Sequence, residues 1–181
     1  MDKQTQLDKL KHHIEKCRVC KANKIGLMVF GEGNLDADVM FVGEAPGKQE
    51  AKSGRPFIGR SGQLLRKQIN SIGLKDTDVY ITSPVKYLPK SGTPSQADID
   101  HARPYFDQQL DIIQSKIVVL LGSTAVKAAL GEQRSVMKEH GTVIERNGRR
   151  YFMTIHPAAV LRFNKNMSIF EEDFKKLKTL L

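Results

Sequence analysis

Residues 40–65 read MFVGEAPGKQEAKSGRPFIGRSGQLL, and the parsing of this stretch decides the fold. Val39–Val42 form a short apolar run between Asp38 and Gly43, the pattern of a strand buried on both faces. Gly62 opens a helical pattern with Leu64, Leu65, Ile69 and Ile72 on one side. Between strand and helix lies a glycine-rich turn that carries Glu44, Pro46 and Phe57. Gly43 and Gly47 allow the backbone to turn sharply at the strand's carboxyl end, the edge where open α/β sheets bind ligands. A loop this long works more often than it merely connects; a plain glycine-rich crossover is the alternative reading.

Upstream, Leu7, Leu10, Ile14 and Cys17 recur at helical spacing and predict an amphipathic helix over 4–17. Gly26–Phe30 (GLMVF) reads as a strand, turned by GEGN at 31–34 into an antiparallel edge pair with 39–42. Downstream, 78–84 (DVYITSP) is a second central strand, with Ser83 and Lys86 at its carboxyl end. Ser95 caps a helix running to about residue 114, with Pro104 bending it or marking its true start. Ile117–Leu121 is a third buried strand, with Gly122-Ser123 turning into and capping a helix over 124–130. Thr142–Glu145 and Arg149–Ile155 predict a hairpin around Asn147-Gly148. Its second arm delivers His156-Pro157. Ser168-x-x-Glu171 reads as a capping box for the last helix. Strands alternating with helices predict an α/β fold with a largely parallel central sheet, one domain over residues 1–181.

The chain carries 29 Lys and Arg against 20 Asp and Glu, a formal charge of +9, which favours a polyanionic partner, nucleic acid above all. No basic tail exists, so the fold must assemble the footprint. No apolar run approaches the roughly 18 residues of a membrane helix, and the N-terminus has no signal-peptide pattern, so an intracellular protein without membrane contact is expected. The only cysteines, Cys17 and Cys20, form a C-x-x-C pair, half of a metal site. His12 and His13 lie upstream, but adjacent residues on a helix point in different directions. Free thiols at a helix end are expected, with no zinc.

Glu44, Ser83 and His156 all fall at strand ends or in the loops that follow, and Phe57 offers an aromatic face. Together they suit a flat polar ring, stacked on Phe57 and hydrogen-bonded by the others. Plainer roles are open to each: a helix cap for Glu44, a core imidazole for His156, core packing for Phe57. There is no nucleophile elbow and no P-loop lysine signature. With the basic charge, a base of nucleic acid is the natural ring, and one in duplex must be flipped out to be worked on.

FVGEAPG at 41–47, GRPFIGRSGQLL at 54–65, VYIT at 79–82 and HPAAVLR at 156–162 resemble the motifs of the family 4 uracil-DNA glycosylases, and VFGEGN at 29–34 and ARPYF at 102–106 fit as well. The resemblance implies a three-layer α/β/α sandwich around a four-stranded, mainly parallel sheet. It implies hydrolysis of the N-glycosidic bond of a flipped deoxyuridine during base-excision repair, in single- or double-stranded DNA. Glu44 would place the attacking water and favour the cationic sugar, and His156 would donate to the uracil oxygen that gains charge. Phe57 would stack on the base, with Gly43, Ala45 and Ser83 also against it. Arg60, Ser61 and Lys86 would grip phosphates. The loop 158–162 would enter the duplex, with Leu161 or Val160 as wedge and Arg162 beside it. A monomer in the cytoplasm of a bacterium or of a phage-infected host is implied, with replication or repair proteins as further partners.

Two departures from the family pattern stand out. The family holds a [4Fe–4S] cluster on four cysteines, but only Cys17 and Cys20 match. Tyr87 and Ala102 occupy the other two positions, and His101 lies beside the second gap. No cofactor is therefore expected. Ser83 stands where the family has the asparagine whose amide reads the uracil edge. That substitution opens an alternative: a catalytically weak or inactive glycosylase-like module that holds DNA or a replication partner. An unrelated small-molecule enzyme on the same fold is a third reading.

Overall fold

The computed structural model describes residues 1–181. Four strands form the parallel centre of the sheet. With the short strands β1 (Lys24–Ile25) and β2 (Glu32–Gly33) numbered first, these are β3 (Val39–Val42), β4 (Val79–Thr82), β6 (Ile117–Leu121) and β8 (Arg149–Thr154). β5 (Leu88–Pro89) pairs only with β1, and β7 (Val143–Arg146) forms the hairpin with β8. The main sheet has the order β2-β4-β3-β6-β8-β7. The expected four parallel strands are extended at each edge by one antiparallel strand. β3, β4 and β6 are buried at every residue, as strands covered on both faces must be.

The helices are α1 (Lys3–Lys16), α2 (Arg18–Lys21), α3 (Lys48–Ser53), α4 (Arg60–Ser71), α5 (Gln96–Ile113), α6 (Gly122–Leu130), α7 (Val136–Glu139), α8 (Pro157–Arg162) and α9 (Met167–Lys178). α1, α5 and α6 pack together in one layer, and α4, α8 and α9 in the other. Phe41 stacks on Phe174 of α9 at 5.8 Å, and Phe170 meets Phe174 edge-on at 4.8 Å, fastening the second layer to the sheet. No helix is long and apolar enough to cross a membrane.

Right-handed crossovers dictate this arrangement. From β3 the chain crosses through α4 to β4 on one side; from β4 it returns through α5 to β6 on the other. The direction reverses between β3 and β6, which makes the gap beyond their carboxyl ends the place for a ligand.

Several local expectations are corrected. Gly26–Phe30 is not a strand, because its N–H groups go to two different segments: Leu27 donates to Ala51 O and Val29 to Lys86 O. The edge strand is instead Glu32–Gly33, and it pairs with β4, not with 39–42. Glycine is required there: a Cβ on Gly33 would lie 2.1 Å from Val79 O. The glycine-rich turn contains a helix of its own, α3, closed by Gly54 in the left-handed conformation. Ser123 caps nothing, since α6 begins one residue earlier, at Gly122. Ser168 lies inside α9 because the 3₁₀ turn Asn164–Asn166 leads straight into Met167, so the capping box is not formed. α5 runs through Pro104 without ending. Its reciprocal Ser95–Asp98 capping box does form, as does the turn at Asn147-Gly148, both residues with positive φ.

Candidate active site

Each of the four parallel strands delivers one polar group to the same edge. Glu44 follows β3, Ser83 follows β4, Thr124 follows β6 and His156 follows β8. A cleft of about 570 Å³ opens there, bordered by Glu44, Phe57, Ser83, His156, Arg162 and Phe163. The four residues predicted to converge do so.

Phe57 is held in an uncommon conformation, with φ of 50° and its ring buried. Two glycines make room for it. A Cβ on Gly62 would lie 2.0 Å from the Phe57 carbonyl carbon, and one on Gly43 would lie 2.5 Å from the ring. Arg66 donates to the carbonyls of Phe57 and Pro56 at 3.1 Å each, while pairing with Glu32 at 2.9 Å and Asp76 at 2.7 Å. The buried Glu50 accepts from the N–H groups of Ile58 and Gly59 at 2.9 and 2.8 Å. The aromatic face is thus fixed in advance rather than free to swing. Glu50 and Arg66 were not singled out from sequence, because charged residues in a loop and on a helix read as surface.

Glu44 spans the reversal between β3 and β6. Its Oε2 accepts from Thr124 Oγ1 at 2.8 Å, which orients the carboxylate and leaves Oε1 to accept from a water or a substrate hydroxyl. Thr124 also escaped notice; its only signal is its place two residues after the Gly122 turn.

His156 caps α8. Its Nδ1 accepts from the Ala158 N–H at 3.1 Å, so the hydrogen-bond pattern assigns the proton of the neutral ring to Nε2. Burial pushes its pKa down to about 4, leaving a neutral imidazole with one donor. A Cβ on Gly43 would lie 3.8 Å from that Nε2, and the ring is 6.0 Å from that of Phe57 at 33°. Donor and stacking surface therefore border the same space.

Ser83 is buried beside the cleft, and its Oγ donates to Val85 O at 3.1 Å. Its single proton is committed, so it meets a ligand as an acceptor. Ala45, Ser61 and Arg162 also border the cleft, while Arg60 and Leu161, their neighbours in the chain, are exposed.

Two assignments fail on burial. Lys86 lies inside the protein, where Nζ donates to Thr82 Oγ1, Ser83 O and Gln109 Oε1 at 2.7, 2.6 and 2.5 Å and stands 5.4 Å from the centre of the Phe30 ring. Burial holds its pKa well below the usual lysine value. A phosphate cannot reach it. Val160 is completely buried on the inner face of α8, so Leu161 and the exposed Phe163 are the apolar groups available to a duplex.

Cys17 and Cys20 are free thiols at a helix end, as expected, but the histidine beside them is not one of the upstream pair. His12 and His13 are exposed on α1, but His101 of α5 meets both thiols, with Nε2 3.2 Å from Cys17 Sγ and 3.3 Å from Cys20 Sγ. Against a four-cysteine cluster the fit fails. Only three donors converge, Tyr87 and Ala102 are buried without offering a thiolate, and the cavity bordered by Cys20 and His101 is about 20 Å³.

Comparison with known proteins decides the family. The Uracil DNA glycosylase superfamily model matches residues 30–178. The chain belongs to the uracil DNA glycosylase superfamily. It is 40% identical over 192 residues to the type-4 uracil-DNA glycosylase of Sulfurisphaera tokodaii, covering 96% of this chain and 84% of that one. It is 36% identical to that of Thermotoga maritima, covering 93% and 91%. A DNA polymerase of Bacillus phage SP01 shares 31% identity over 83% of this chain but only 16% of its own length. This glycosylase-superfamily chain thus matches the type-4 proteins nearly end to end, and one short part of the polymerase.

Proposed function

We propose that this chain, acting as one domain and as a monomer in the bacterial or phage-infected cytoplasm, is a DNA glycosylase. It hydrolyses the N-glycosidic bond of a uracil, or a related deaminated or modified base, flipped out of DNA for base-excision repair. The observation that carries this reading is the meeting of Glu44, Phe57 and His156 around one cleft at the sheet's reversal point, in a chain so similar to type-4 uracil-DNA glycosylases.

The chemistry follows from the geometry. Bond cleavage separates a cationic sugar from a uracil anion, and stabilising that separated charge is the main catalytic task. The flipped base stacks on the rigid Phe57. The Nε2–H of neutral His156 donates to the uracil oxygen where negative charge grows. A neutral donor suits this task, because it strengthens as the anion forms without handing over its proton. Glu44, tied on one oxygen to Thr124, faces the sugar with the other, favouring the cation and orienting the water whose oxygen bonds to C1′. The attacking water gives up one proton to solvent by way of Glu44 and the departing base takes one from solvent, so one water is consumed for each base released. Arg60, Ser61 and Arg162 hold phosphates, and Leu161 fills the gap left in the duplex. No step runs through a cluster, and we propose that the family's iron–sulfur cluster has no place here.

Ser83 favours a second reading. A hydroxyl already spent on Val85 O can accept from the uracil N3–H but cannot donate to its neighbouring oxygen. A protein that binds the base without cutting, beside replication proteins in keeping with the polymerase likeness, would share this cleft. Incubation with a uracil-containing oligonucleotide, then alkaline cleavage of abasic sites, separates the two. The glycosylase reading expects strand scission that Glu44→Gln lowers by at least roughly 100-fold with DNA affinity retained. Intact strands, with uracil-containing DNA still bound in preference to thymine, would establish the binding module.

A further inference from the structure

The Cys17, Cys20 and His101 cluster is the strongest feature that the reaction leaves unused. We infer that these three residues hold a single zinc-class divalent ion, in place of the iron–sulfur cluster that the neighbouring positions no longer support. The three ligating atoms lie within 4.8 Å of one another, although His101 is 84 residues from Cys17 in sequence. A tetrahedral ion with ordinary zinc–sulfur and zinc–nitrogen bonds sets its sulfur and nitrogen ligands about 3.5 Å apart. The observed 3.2 and 3.3 Å need adjusting by only a few tenths of an ångström.

Local construction supports the assignment. Cys17 ends α1 and caps α2, accepting from the Cys20 N–H at 3.4 Å, so a backbone donor already faces the sulfur as it does in many thiolate–metal sites. Tyr105 packs edge-on against the His101 ring, with centroids 5.8 Å apart, and fixes its plane. The adjoining void of about 20 Å³ suits an ion or one water, not a four-iron cube. Two soft sulfurs and an imidazole are zinc-type donors, and the fourth position is left to water or to Tyr105. Such an ion would tie the α1–α2 junction to α5. Pro84, Val85 and Lys86 border the same void, so it would also support the loop that presents Ser83 to the cleft.

The test is elemental analysis of the untagged protein purified under reducing conditions, followed by cobalt substitution. One zinc per chain is expected, without iron or acid-labile sulfide. The cobalt form should show the visible bands of a tetrahedral ion together with sulfur-to-cobalt charge transfer. His101→Ala and Cys17→Ser should lose the metal, His101→Cys should keep it, and the His12→Ala/His13→Ala double variant should keep it too. A strong chelator should lower the melting temperature of the wild type but not that of His101→Ala. If His101→Ala does not fold, release of one zinc on mercurial titration of the two wild-type thiols, together with retention by His101→Cys, carries the same information. Stoichiometric iron with sulfide, reduced protein without metal, or unchanged zinc in folded His101→Ala would each overturn the assignment.

Discussion

At the scale of single residues, the candidate site rests on the protonation state of His156 and on the short side chain of Ser83. Burial lowers the His156 pKa from 6.5 to about 4. As pH falls from about 6.5 to 4, the unfolded chain takes up a proton that the folded chain refuses, so stability falls across that window and levels off below it. The neutral donor persists to about pH 4. The rate should therefore show no loss attributable to His156 near pH 6.5, and nitrogen-15 NMR of the ring should give a midpoint near 4; a midpoint near 6.5 would contradict the buried neutral ring. At Ser83, the amide of Ser83→Asn restores a donor that the hydroxyl cannot spare. A donor to the base is worth roughly 1–3 kcal/mol, so single-turnover excision of uracil should rise roughly 5- to 150-fold. An unchanged or lower rate would show that the cleft is shaped for another base.

At the scale of elements, the exit of β4 is set by a buried polar network. Lys86 supplies Thr82, Ser83 and Gln109, while Gln109 Nε2 donates to Phe30 O and Tyr80 Oη at 3.1 Å each. Lys86→Met keeps the bulk but strands those acceptors. It should cost about 3 kcal/mol, seen as a fall of roughly 6–12 °C in melting temperature. The salt dependence of DNA binding should not change, and a shallower slope would mean that Lys86 reaches phosphate after all. Sequence reading places this lysine on the surface because an isolated Lys is a solvated charge by default. Its acceptors come from β4 and from α5, which is more than twenty residues away in the chain. Val160 and Leu161 show the same limit: their adjacency is plain in sequence, but which of them faces solvent depends on the rotation of α8 against α4 and α9.

At the scale of the whole molecule, the charge of +9 is spread over residues 1–181 and acts through the folded surface. DNA affinity measured by fluorescence anisotropy should fall steeply with salt. Arg60→Ala and Arg162→Ala should each lower the slope of log K against log salt by about 1, the release of roughly one counterion per phosphate contact. An unchanged slope would move the footprint away from the cleft.

The order of the four central strands and of the long helices between them, the parallel sheet and the strand-end positions of Glu44, Ser83 and His156 were determined by sequence alone; the edge strand at Glu32–Gly33 and the short helix α3 were not. Apolar runs of four or five residues, bounded by glycine or charge, have one stable use in a chain that alternates with helices: burial at the centre of a sheet. Phe57 was legible too, because a glycine-rich loop leaving such a strand opens onto the ligand edge. Partnership across the fold was decided only by tertiary structure. Thr124 orienting Glu44, Arg66 and Glu50 clamping the Phe57 loop, Gln109 meeting Lys86, and His101 rather than His12 or His13 meeting the cysteines all join residues from different elements. Local pattern reports which face of an element is apolar. It does not report which polar atoms of distant elements arrive within hydrogen-bond distance, since that is set by crossover handedness and helix packing together.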